Sequence, residues 1–191
     1  MRVLITGACG FIGSHLAKKC LELGWETFGV DNLGGGSVEA LERLGVDYMI
    51  PPGFLSEIPN RENFYNKYKK HLFLHLNNFE DREILDMVSE GFFDTVFHLA
   101  AIPRVHYSML HPTQTAMNNV VASSALVEAI RNTDSRLVFS SSSSVYGGLS
   151  DFPTKESSNK RPISPYALQK SYVEDLLRML EINSISLRYF N

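Results

Sequence analysis

The stretch Thr6-Gly7-Ala8-Cys9-Gly10-Phe11-Ile12-Gly13 joins an apolar N-terminal segment to an amphipathic one. Its glycines have the spacing G-x-x-G-x-x-G, which suits a tight strand-to-helix turn, close approach of the backbone to a pyrophosphate, and close packing of helix on strand. A helix that begins near Phe11 would direct free N–H groups and the positive end of its dipole toward the phosphates. We therefore predict a dinucleotide site at Gly7, Gly10, Phe11, Ile12 and Gly13.

An acidic residue follows at the distance that such a site requires. The next apolar segment ends in Val30-Asp31-Asn32, about 20 residues on, where a carboxylate accepts hydrogen bonds from the adenosine ribose. The Asp31 carboxylate would repel a 2′-phosphate, so NAD is favoured over NADP. A glycine pattern alone also fits a flexible turn, and the prediction depends on both elements together.

Apolar segments alternate with amphipathic ones along the whole chain. The predicted strands are Arg2–Thr6, Glu26–Asp31, Leu72–Asn77, Asp94–Ala100, Leu137–Ser142 and Ser184–Phe190. Three helical stripes are expected to be buried: Ile12, Leu16, Cys20 and Leu23; then Leu126, Val127 and Ile130; then Val173, Leu176, Leu177 and Leu180. The β-α-β-α order predicts the α/β class, with a doubly wound parallel sheet (a Rossmann fold) in three α/β/α layers.

Residues Pro51 to Lys70 interrupt this alternation. Four early residues, Pro51, Pro52, Gly53 and Pro59, oppose regular structure, and Arg61–Lys70 is compatible with a short helix. We favour a surface excursion for this segment over a contact with a partner or substrate.

Composition excludes several classes of protein. The chain has 191 residues, of which 44% are hydrophobic, and a net charge of -3, which is typical of a globular domain and gives no sign of nucleic-acid binding. Cys9 and Cys20 have neither metal nor disulfide spacing, which favours a reducing compartment. The predicted first strand begins at Arg2, so no signal peptide is expected, and no apolar run approaches the ~20 residues of a membrane span. A cytoplasmic location without membrane contact is expected.

A phenol and an ammonium lie four residues apart in Tyr166-Ala167-Leu168-Gln169-Lys170. Ser164 and Pro165 open a predicted helix that places Tyr166 and Lys170 on one face. An ammonium about 4 Å away is worth about 4 kcal/mol at an effective dielectric near 20, enough to bring the phenol pKa from about 10 toward neutrality. The pattern alone is common on solvated helix faces. It gains weight because it follows the serine run Ser140–Ser144, which is predicted to be a strand end that supplies a hydroxyl.

The fourth predicted strand ends in Phe97-His98-Leu99-Ala100-Ala101. Ligands of such sheets lie beyond the carboxyl ends of the strands, so Leu99, Ala100 and Ala101 are expected to approach the cofactor. His98 lies within an apolar strand, and a buried, hydrogen-bonded histidine is favoured there over a catalytic base.

Several motifs in this order resemble one known family. They are ITGACGFIGSHL, VDNL, FHLAA, NNV, FSSSSSVYG, SPYALQK and LRYFN, and they extend from Arg2 to Asn191. The chain is similar to extended short-chain dehydrogenase/reductases of the NAD-dependent sugar-nucleotide epimerase/dehydratase family, of the UDP-glucose 4-epimerase type.

This resemblance implies roles for individual residues. The implied catalytic residues are Ser142, Tyr166 and Lys170. The implied further cofactor contacts are Asn32, Asn78, Phe79, Asn118, Ser140, Tyr166, Lys170 and Phe190, where Asn78-Phe79 replaces the family's usual Asp-Ile or Asp-Leu pair. The implied substrate contacts are Ser142, Ser143, Tyr166 and Asn191.

The resemblance also bears on the reaction and on the extent of the protein. Dehydratases of the family carry acid and base groups where this chain has Ser142, Ser143 and Ser144, so epimerisation of a nucleotide-diphosphate sugar, at C4, is preferred. A nucleotide-sugar dehydrogenase or reductase, a 4,6-dehydratase and a non-catalytic NAD-binding module remain alternatives. Residues 1–191 are expected to form the NAD-binding domain with most of the catalytic residues, and a C-terminal substrate domain is expected to be absent. A homodimer through the helix bearing Tyr166 and the helix near Pro112–Arg131 is possible, although the same apolar positions could belong to the core.

Overall fold

The structure is a computed structural model that describes residues 1–50, 61–68, 70–148 and 153–190. Among these residues, a seven-stranded sheet in the order β3-β4-β2-β1-β5-β6-β7 has every neighbouring pair parallel. The strands are β1 (Arg2–Thr6), β2 (Glu26–Val30), β3 (Tyr48–Met49), β4 (Leu72–His75), β5 (Thr95–His98), β6 (Arg136–Ser142) and β7 (Ser184–Tyr189). The order reverses direction at β1 and β5, which places a switch point for ligand binding at their carboxyl ends.

Helices connect successive strands. They are α1 (Phe11–Glu22), α2 (Val38–Arg43), α3 (Arg61–Lys67), α4 (Arg82–Ser89), α5 (Val105–Leu110), α6 (Pro112–Ala116), α7 (Ser123–Ile130) and α8 (Pro165–Met179). A π-helical segment, Met117–Ala122, joins α6 to α7, and a 3₁₀ turn, Ser143–Tyr146, follows β6. Across the described ranges, no helix has the length and apolar character needed to traverse a membrane.

A hydrophobic core lies on each face of the sheet, between the strands and the helices that cover that face. On one side, Val3 and Ile5 of β1 pack with Ala17 and Cys20 of α1 and with Leu41 of α2. On the other side, side chains of the same sheet pack on α4, α7 and α8. The buried helical residues there are Ile84, Met87, Val88, Leu126, Val127, Ile130, Val173 and Leu177. The predicted doubly wound sheet in three layers is therefore confirmed, as are the apolar stripes of α7 and α8.

The predicted stripe of α1 is confirmed at Cys20 and at the half-buried Leu16 but is wrong at Ile12 and Leu23. Ile12 and Leu23 are 44% and 51% exposed, and the buried positions are Gly13, Ser14, Ala17 and Cys20. Because α1 begins directly over the glycine turn, it packs so closely on the sheet that small residues face inward. A Cβ atom on Gly13 would overlap the Gly7 carbonyl.

All six predicted strands are present, but most end earlier than expected. After β5, the Leu99 N–H is shared between the Thr6 carbonyl at 3.3 Å and Thr6 Oγ1 at 3.1 Å, and the Ala100 N–H donates to Thr6 Oγ1 at 3.1 Å. The side-chain hydroxyl thus replaces the regular strand pairing beyond His98. The strand β3 was not predicted, because its two half-buried residues at the sheet edge form no apolar run.

The helix expected within Arg61–Lys70 is present as α3. Phe64 and Tyr68 anchor it to the core, and the Phe64 ring lies 5.9 Å from that of Phe73. The rest of the interruption, residues 51–60, lies outside the described residues, and its assignment as a surface excursion stays a prediction.

Candidate active site

The turn after β1 has the geometry that its glycines predict. Gly7 has a φ of +74°, and its N–H donates to the Val30 carbonyl at 2.8 Å. A Cβ atom on Gly7 would lie 3.0 Å from the Ala100 backbone nitrogen. Gly10 caps α1 without a side-chain hydrogen bond, so the first N–H groups of the helix, from Phe11 onward, point out of the carboxyl edge without helical acceptors. The backbone forms a cradle of the kind that receives a pyrophosphate.

Asp31 is held in position beside this turn. One carboxylate oxygen accepts the Cys9 N–H at 2.9 Å, and the other accepts the Leu33 N–H at 2.8 Å. Each oxygen keeps a further lone pair. The carboxylate is thus oriented before any ligand arrives, at the position where the ribose hydroxyls are predicted.

The carboxyl ends of β2 and β4 meet through two amides. Asn32 Nδ2 donates to Asn78 Oδ1 at 2.8 Å, and Asn32 Oδ1 accepts the Gly34 N–H at 2.9 Å. The Asn78 Oδ1 atom is therefore an acceptor that Asn32 already engages. The Phe79 ring is buried and packs 4.8 Å from the His98 ring, so a contribution of Phe79 to cofactor binding would come from its backbone.

His98 is a structural residue, as predicted. Thr6 Oγ1 already accepts two backbone N–H groups, so its hydroxyl proton is directed to His98 Nδ1 at 2.8 Å, and Nε2 donates to Ser123 Oγ at 2.9 Å. Burial, aided by the charge of Lys170, lowers the pKa of His98 to about 3. The imidazole is therefore neutral and locked below Leu99, Ala100 and Ala101.

The π-helical segment brings two asparagines to the site. Asn119 is buried and ties Ile102 to α8: its Oδ1 accepts the Ile102 N–H, and its Nδ2 donates to Gln169 Oε1, both at 2.8 Å. Gln169 in turn donates to Thr115 Oγ1 at 2.9 Å. The Oδ1 atom of Asn118 is buried and has no hydrogen-bond partner within the described residues. Asn118 was predicted from the resemblance. Asn119 and Gln169 were missed, although a paired Asn-Asn in an apolar helix was a usable signal.

The serine run ends β6, as predicted, and Ser143 and Ser144 begin the following 3₁₀ turn. Ser142 Oγ accepts the N–H of Ser144 at 3.2 Å and also contacts Ser144 Oγ at 2.9 Å. Ser143 is half-buried in the turn. The Ser140 carbonyl accepts Lys170 Nζ at 2.8 Å.

Helix α8 begins as the sequence predicts and carries Tyr166 to this strand end. Ser164 Oγ accepts the Ala167 N–H at 3.2 Å, and Pro165 occupies the first turn. Ser108 of α5 accepts the Tyr166 N–H at 3.1 Å. Ser108 was not predicted, because its role depends on a partner 58 residues away.

The electrostatic effect expected of Lys170 on Tyr166 is wrong for the cofactor-free chain. Burial raises the pKa of Tyr166, and a hydrogen bond with Ser142 opposes this without reversing it. Lys170 Nζ lies 5.9 Å from the Tyr166 ring centre and 4.7 Å from that of Phe139. Burial lowers the pKa of Lys170 to about 7. Lys170 Nζ is directed at the Ser140 carbonyl and not at the phenol. The Lys170 amine and the Tyr166 phenol are both desolvated, so burial disfavours the ammonium form of one and the phenolate form of the other.

The last predicted contacts lie at the end of β7. Phe190 is 61% exposed, and its ring centre lies 6.3 Å from that of Tyr146. Asn191 lies outside the described residues. Apart from Asn191, the predicted site residues gather at the carboxyl edge of the sheet.

One group of metal-ligating side chains occurs in the described parts of the chain: His75, Asp81 and Glu83. Asp81 caps α4 by accepting the Glu83 N–H at 3.0 Å and also accepts Asn77 Nδ2 at 2.8 Å. Its oxygens therefore already serve the start of the helix.

Comparison with known proteins agrees with this geometry. Residues 3–191 match the NAD dependent epimerase/dehydratase family. The chain belongs to that family. The match covers the glycine turn, the serine run and the Tyr166–Lys170 pair together.

Relatives within the family are epimerases. The chain is 32% identical to a UDP-glucose 4-epimerase of Bacillus subtilis, covering 100% of this chain and 52% of the relative. It is 33% identical to a UDP-glucose 4-epimerase of Cyamopsis tetragonoloba, covering 99% and 51%. The crystal structure of a UDP-glucose-4-epimerase from Stenotrophomonas maltophila with bound NAD and formylated UDP-arabinopyranose has a TM-score of 0.81 at 29% identity, covering 100% of this chain and 53% of that one. The chain spans about half the length of these relatives.

Proposed function

We propose that this protein inverts a nucleotide-diphosphate sugar at C4, with NAD as cofactor and a transient keto-sugar as intermediate. The observation that supports this most directly is the assembly of Ser142, Tyr166 and Lys170 at the carboxyl edge, beside the glycine turn. Relatives named as UDP-sugar 4-epimerases in the same family support the choice of reaction.

The residues present fit NAD. The cradle at Gly7, Gly10 and Gly13 would hold the pyrophosphate, and the oriented Asp31 carboxylate would accept the adenosine ribose hydroxyls. The unpartnered Asn118 Oδ1 offers a buried acceptor on the same edge. When bound, NAD supplies a hydride acceptor that later returns the hydride.

Each catalytic side chain has a separate task in this proposal. Tyr166 removes the proton from the sugar 4-hydroxyl and later returns it, and Ser142 holds the reacting oxygen through its hydroxyl. Lys170 anchors the end of β6 through the Ser140 carbonyl and presents an ammonium to a ribose. Since burial raises the pKa of Tyr166 in the free chain, the phenol stays protonated until a ligand changes its surroundings.

The turn after β6 favours epimerisation over dehydration. Water elimination needs a general acid, and the resemblance implies that dehydratases of the family carry it at the positions where this chain has Ser143 and Ser144. The carboxylate next to β6, that of Glu174, accepts both Ser141 Oγ and Arg188 Nη2 and is buried. Both of its oxygens are therefore already engaged by protein donors.

The deciding experiment is incubation with NAD and a panel of UDP-, GDP- and dTDP-sugars, with products analysed by NMR and NADH followed by absorbance. We expect a C4-inverted sugar without net NADH. Stoichiometric NADH would indicate a dehydrogenase or reductase, and a 4-keto-6-deoxy product would indicate a 4,6-dehydratase. NAD binding with no product from any sugar would indicate a non-catalytic module.

We also propose that two copies associate through α8 and the π-helical segment. These adjacent elements expose apolar side chains at helical spacing, Leu168 and Tyr172 on one and Met117 and Val121 on the other. A Leu168→Glu, Tyr172→Glu variant is expected to sediment as a monomer while the parent sediments as a dimer. A monomeric parent at micromolar concentration would contradict the proposal.

The remaining assignments follow from the sequence. Residues 1–191 are proposed to act as the NAD-binding domain and to carry most of the catalytic residues. The cytoplasmic location stays a prediction.

A further inference from the structure

Glu174 shares a helix face with Tyr166 and Lys170 and lies about two turns after Tyr166 and one turn after Lys170 along α8. Its carboxylate is buried but surrounded by donors. Ser141 Oγ donates at 2.5 Å, Arg188 Nε at 2.9 Å and Arg188 Nη2 at 2.7 Å, and Lys160 Nζ lies 3.5 Å away. The catalytic face of α8 is therefore attached to the sheet by a charged group that the proposed chemistry does not use.

The contacts of Glu174 connect α8 to the two neighbouring strands β6 and β7 at the same level of the sheet. Ser141 of β6 and Arg188 of β7 are paired in register, and the next pair along the strands is Ser142 with Tyr189. Glu174 thus holds the pair of residues immediately before the level of Ser142.

Arg188 extends the same contact to the far side of Ser142. Its Nη1 donates to the Tyr146 hydroxyl at 2.6 Å and to the Glu156 carbonyl at 3.1 Å, and its guanidinium lies 4.8 Å from the Tyr146 ring centre. Tyr146 ends the 3₁₀ turn that begins after Ser142. Residues on both sides of Ser142 are consequently attached to one bidentate carboxylate–guanidinium pair.

A pair of this kind is better suited to setting geometry than to adding stability. Bidentate Arg–carboxylate contacts are short and directional, whereas the net stability from a buried ion pair is small because desolvation opposes the attraction. Positioning matters here because a misplacement of about 1 Å costs roughly 100-fold in rate.

We propose that Glu174 is a positioning residue: with Arg188, it sets the register of α8 on β6 and β7 and so keeps Ser142 beside the Tyr166 phenol. This inference deepens the proposed function, since it takes Ser142 and Tyr166 as the reacting pair. The hydrogen bonds and ion pairs of the Glu174 carboxylate are with Ser141, Arg188 and Lys160.

The test is carried out on the cofactor-free chain with tyrosine labelled with ¹³C at Cζ, and the melting temperature is measured in parallel. A Tyr166→Phe variant identifies the Tyr166 resonance, and Ser142→Ala gives the position of that resonance without the serine hydroxyl. We expect Glu174→Gln to move the resonance most of the way toward the Ser142→Ala position. The matched control is Asp175→Asn on the same helix, because Asp175 shares Lys160 as a partner, at 2.8 Å, and its hydrogen bonds and ion pairs in the described chain are with Lys160 and Arg178. It should leave the resonance in place.

A second variant covers the case in which Glu174→Gln fails to fold. Ser141→Ala removes one donor to Glu174 and alters no charge. A shift of the Tyr166 resonance in this variant therefore reports a change in the position of Ser142 and not the electric field of a lost charge. We expect Ser141→Ala to move the Tyr166 resonance in the same direction as Glu174→Gln, but by less. Adding Ser142→Ala to this variant should then move the resonance by less than Ser142→Ala does in the parent. If the melting temperature falls in Glu174→Gln but the resonance stays in place in every folded variant, Glu174 only stabilises the fold and the proposal is overturned. The measurement needs no turnover, so its outcome is separate from that of the sugar panel.

Discussion

Replacing Tyr166 with phenylalanine is expected to reduce epimerase turnover by about 10³-fold, the range typical of losing a general acid–base group. The phenol is the group assigned to take the proton from the sugar hydroxyl, and phenylalanine keeps the ring but not the acceptor. NAD should still bind, with a loss of affinity no larger than the one cofactor contact that the resemblance implies for Tyr166, because the glycine turn and Asp31 lie on other elements. Product formation followed by NMR and NAD binding measured by calorimetry check the two parts separately.

The control for this variant is Tyr48→Phe. It deletes the same atom from a tyrosine of β3, at the edge of the sheet, where the hydroxyl donates to the exposed Glu42 carboxylate at 3.1 Å. It should leave turnover and NAD binding as they were. A Tyr166→Phe enzyme that kept most of its turnover would remove Tyr166 from the catalytic role and leave the mechanism without a base.

Replacing Lys170 with methionine is expected to abolish turnover and, near pH 7, to stabilise the free chain. Burial lowers the pKa of Lys170 from 10.5 to about 7, so between these values the unfolded chain binds more protons than the folded one. The stability of the parent therefore falls as the pH decreases from 10.5 to 7 and is level below that. The shift of the Lys170 pKa from 10.5 to about 7 limits this loss of stability to roughly 5 kcal/mol. The unpaired Ser140 carbonyl in the variant costs about 1–3 kcal/mol in the opposite direction.

The balance of these two effects changes sign with pH, and denaturant titrations at several pH values measure it. Near pH 7 the free energy gained by no longer burying the lysine is larger than the free energy lost with the hydrogen bond to Ser140, so the variant should be more stable than the parent. Close to pH 10 the relief is small, and the parent should be equally or more stable. Lys19→Met serves as the control, because Lys19 is exposed and its ion pair with Glu22 spans 3.5 Å at the surface. A stability difference for Lys170→Met that did not vary with pH would show that the lysine is not buried as a neutral amine. A gain in stability at the expense of activity is common at active sites.

The elements of the fold were largely predictable because local signals agreed with the tertiary arrangement. Apolar runs, the glycine turn and the Ser164–Pro165 start of α8 each depend on a few neighbouring residues. The errors occurred where distant groups intervene. The face of α1 is set by the Gly7 carbonyl against Gly13, and β5 ends early because Thr6 captures two N–H groups.

The candidate site also combines residues that could be predicted from the sequence with contacts that could not. Asp31 and a hydroxyl from the serine run were predicted from spacing along the chain, and the resemblance supplied the individual roles of Ser140, Ser142 and Ser143 together with Asn118 and Phe190. The contacts that hold these residues were not predictable, because Ser108, Asn119 and Glu174 meet partners on other elements. The Lys170–Tyr166 interaction shows the limit most clearly, since the helical spacing was right and the direction of the phenol pKa was wrong.

The sequence by itself determined the class of fold and the dinucleotide turn, and it predicted the tyrosine and lysine of the site; the choice of Ser142 within the serine run came from the resemblance. The fold class, the turn and the tyrosine–lysine pair are encoded in short patterns whose physical basis is local: backbone freedom at glycine, strand periodicity and helical spacing. Only the tertiary structure decided which groups are desolvated, which donors reach which acceptors, and therefore which protonation states the site favours. Burial and hydrogen bonding join residues far apart in the chain, such as Ser141, Glu174 and Arg188, and no local pattern specifies how far each charge is removed from water.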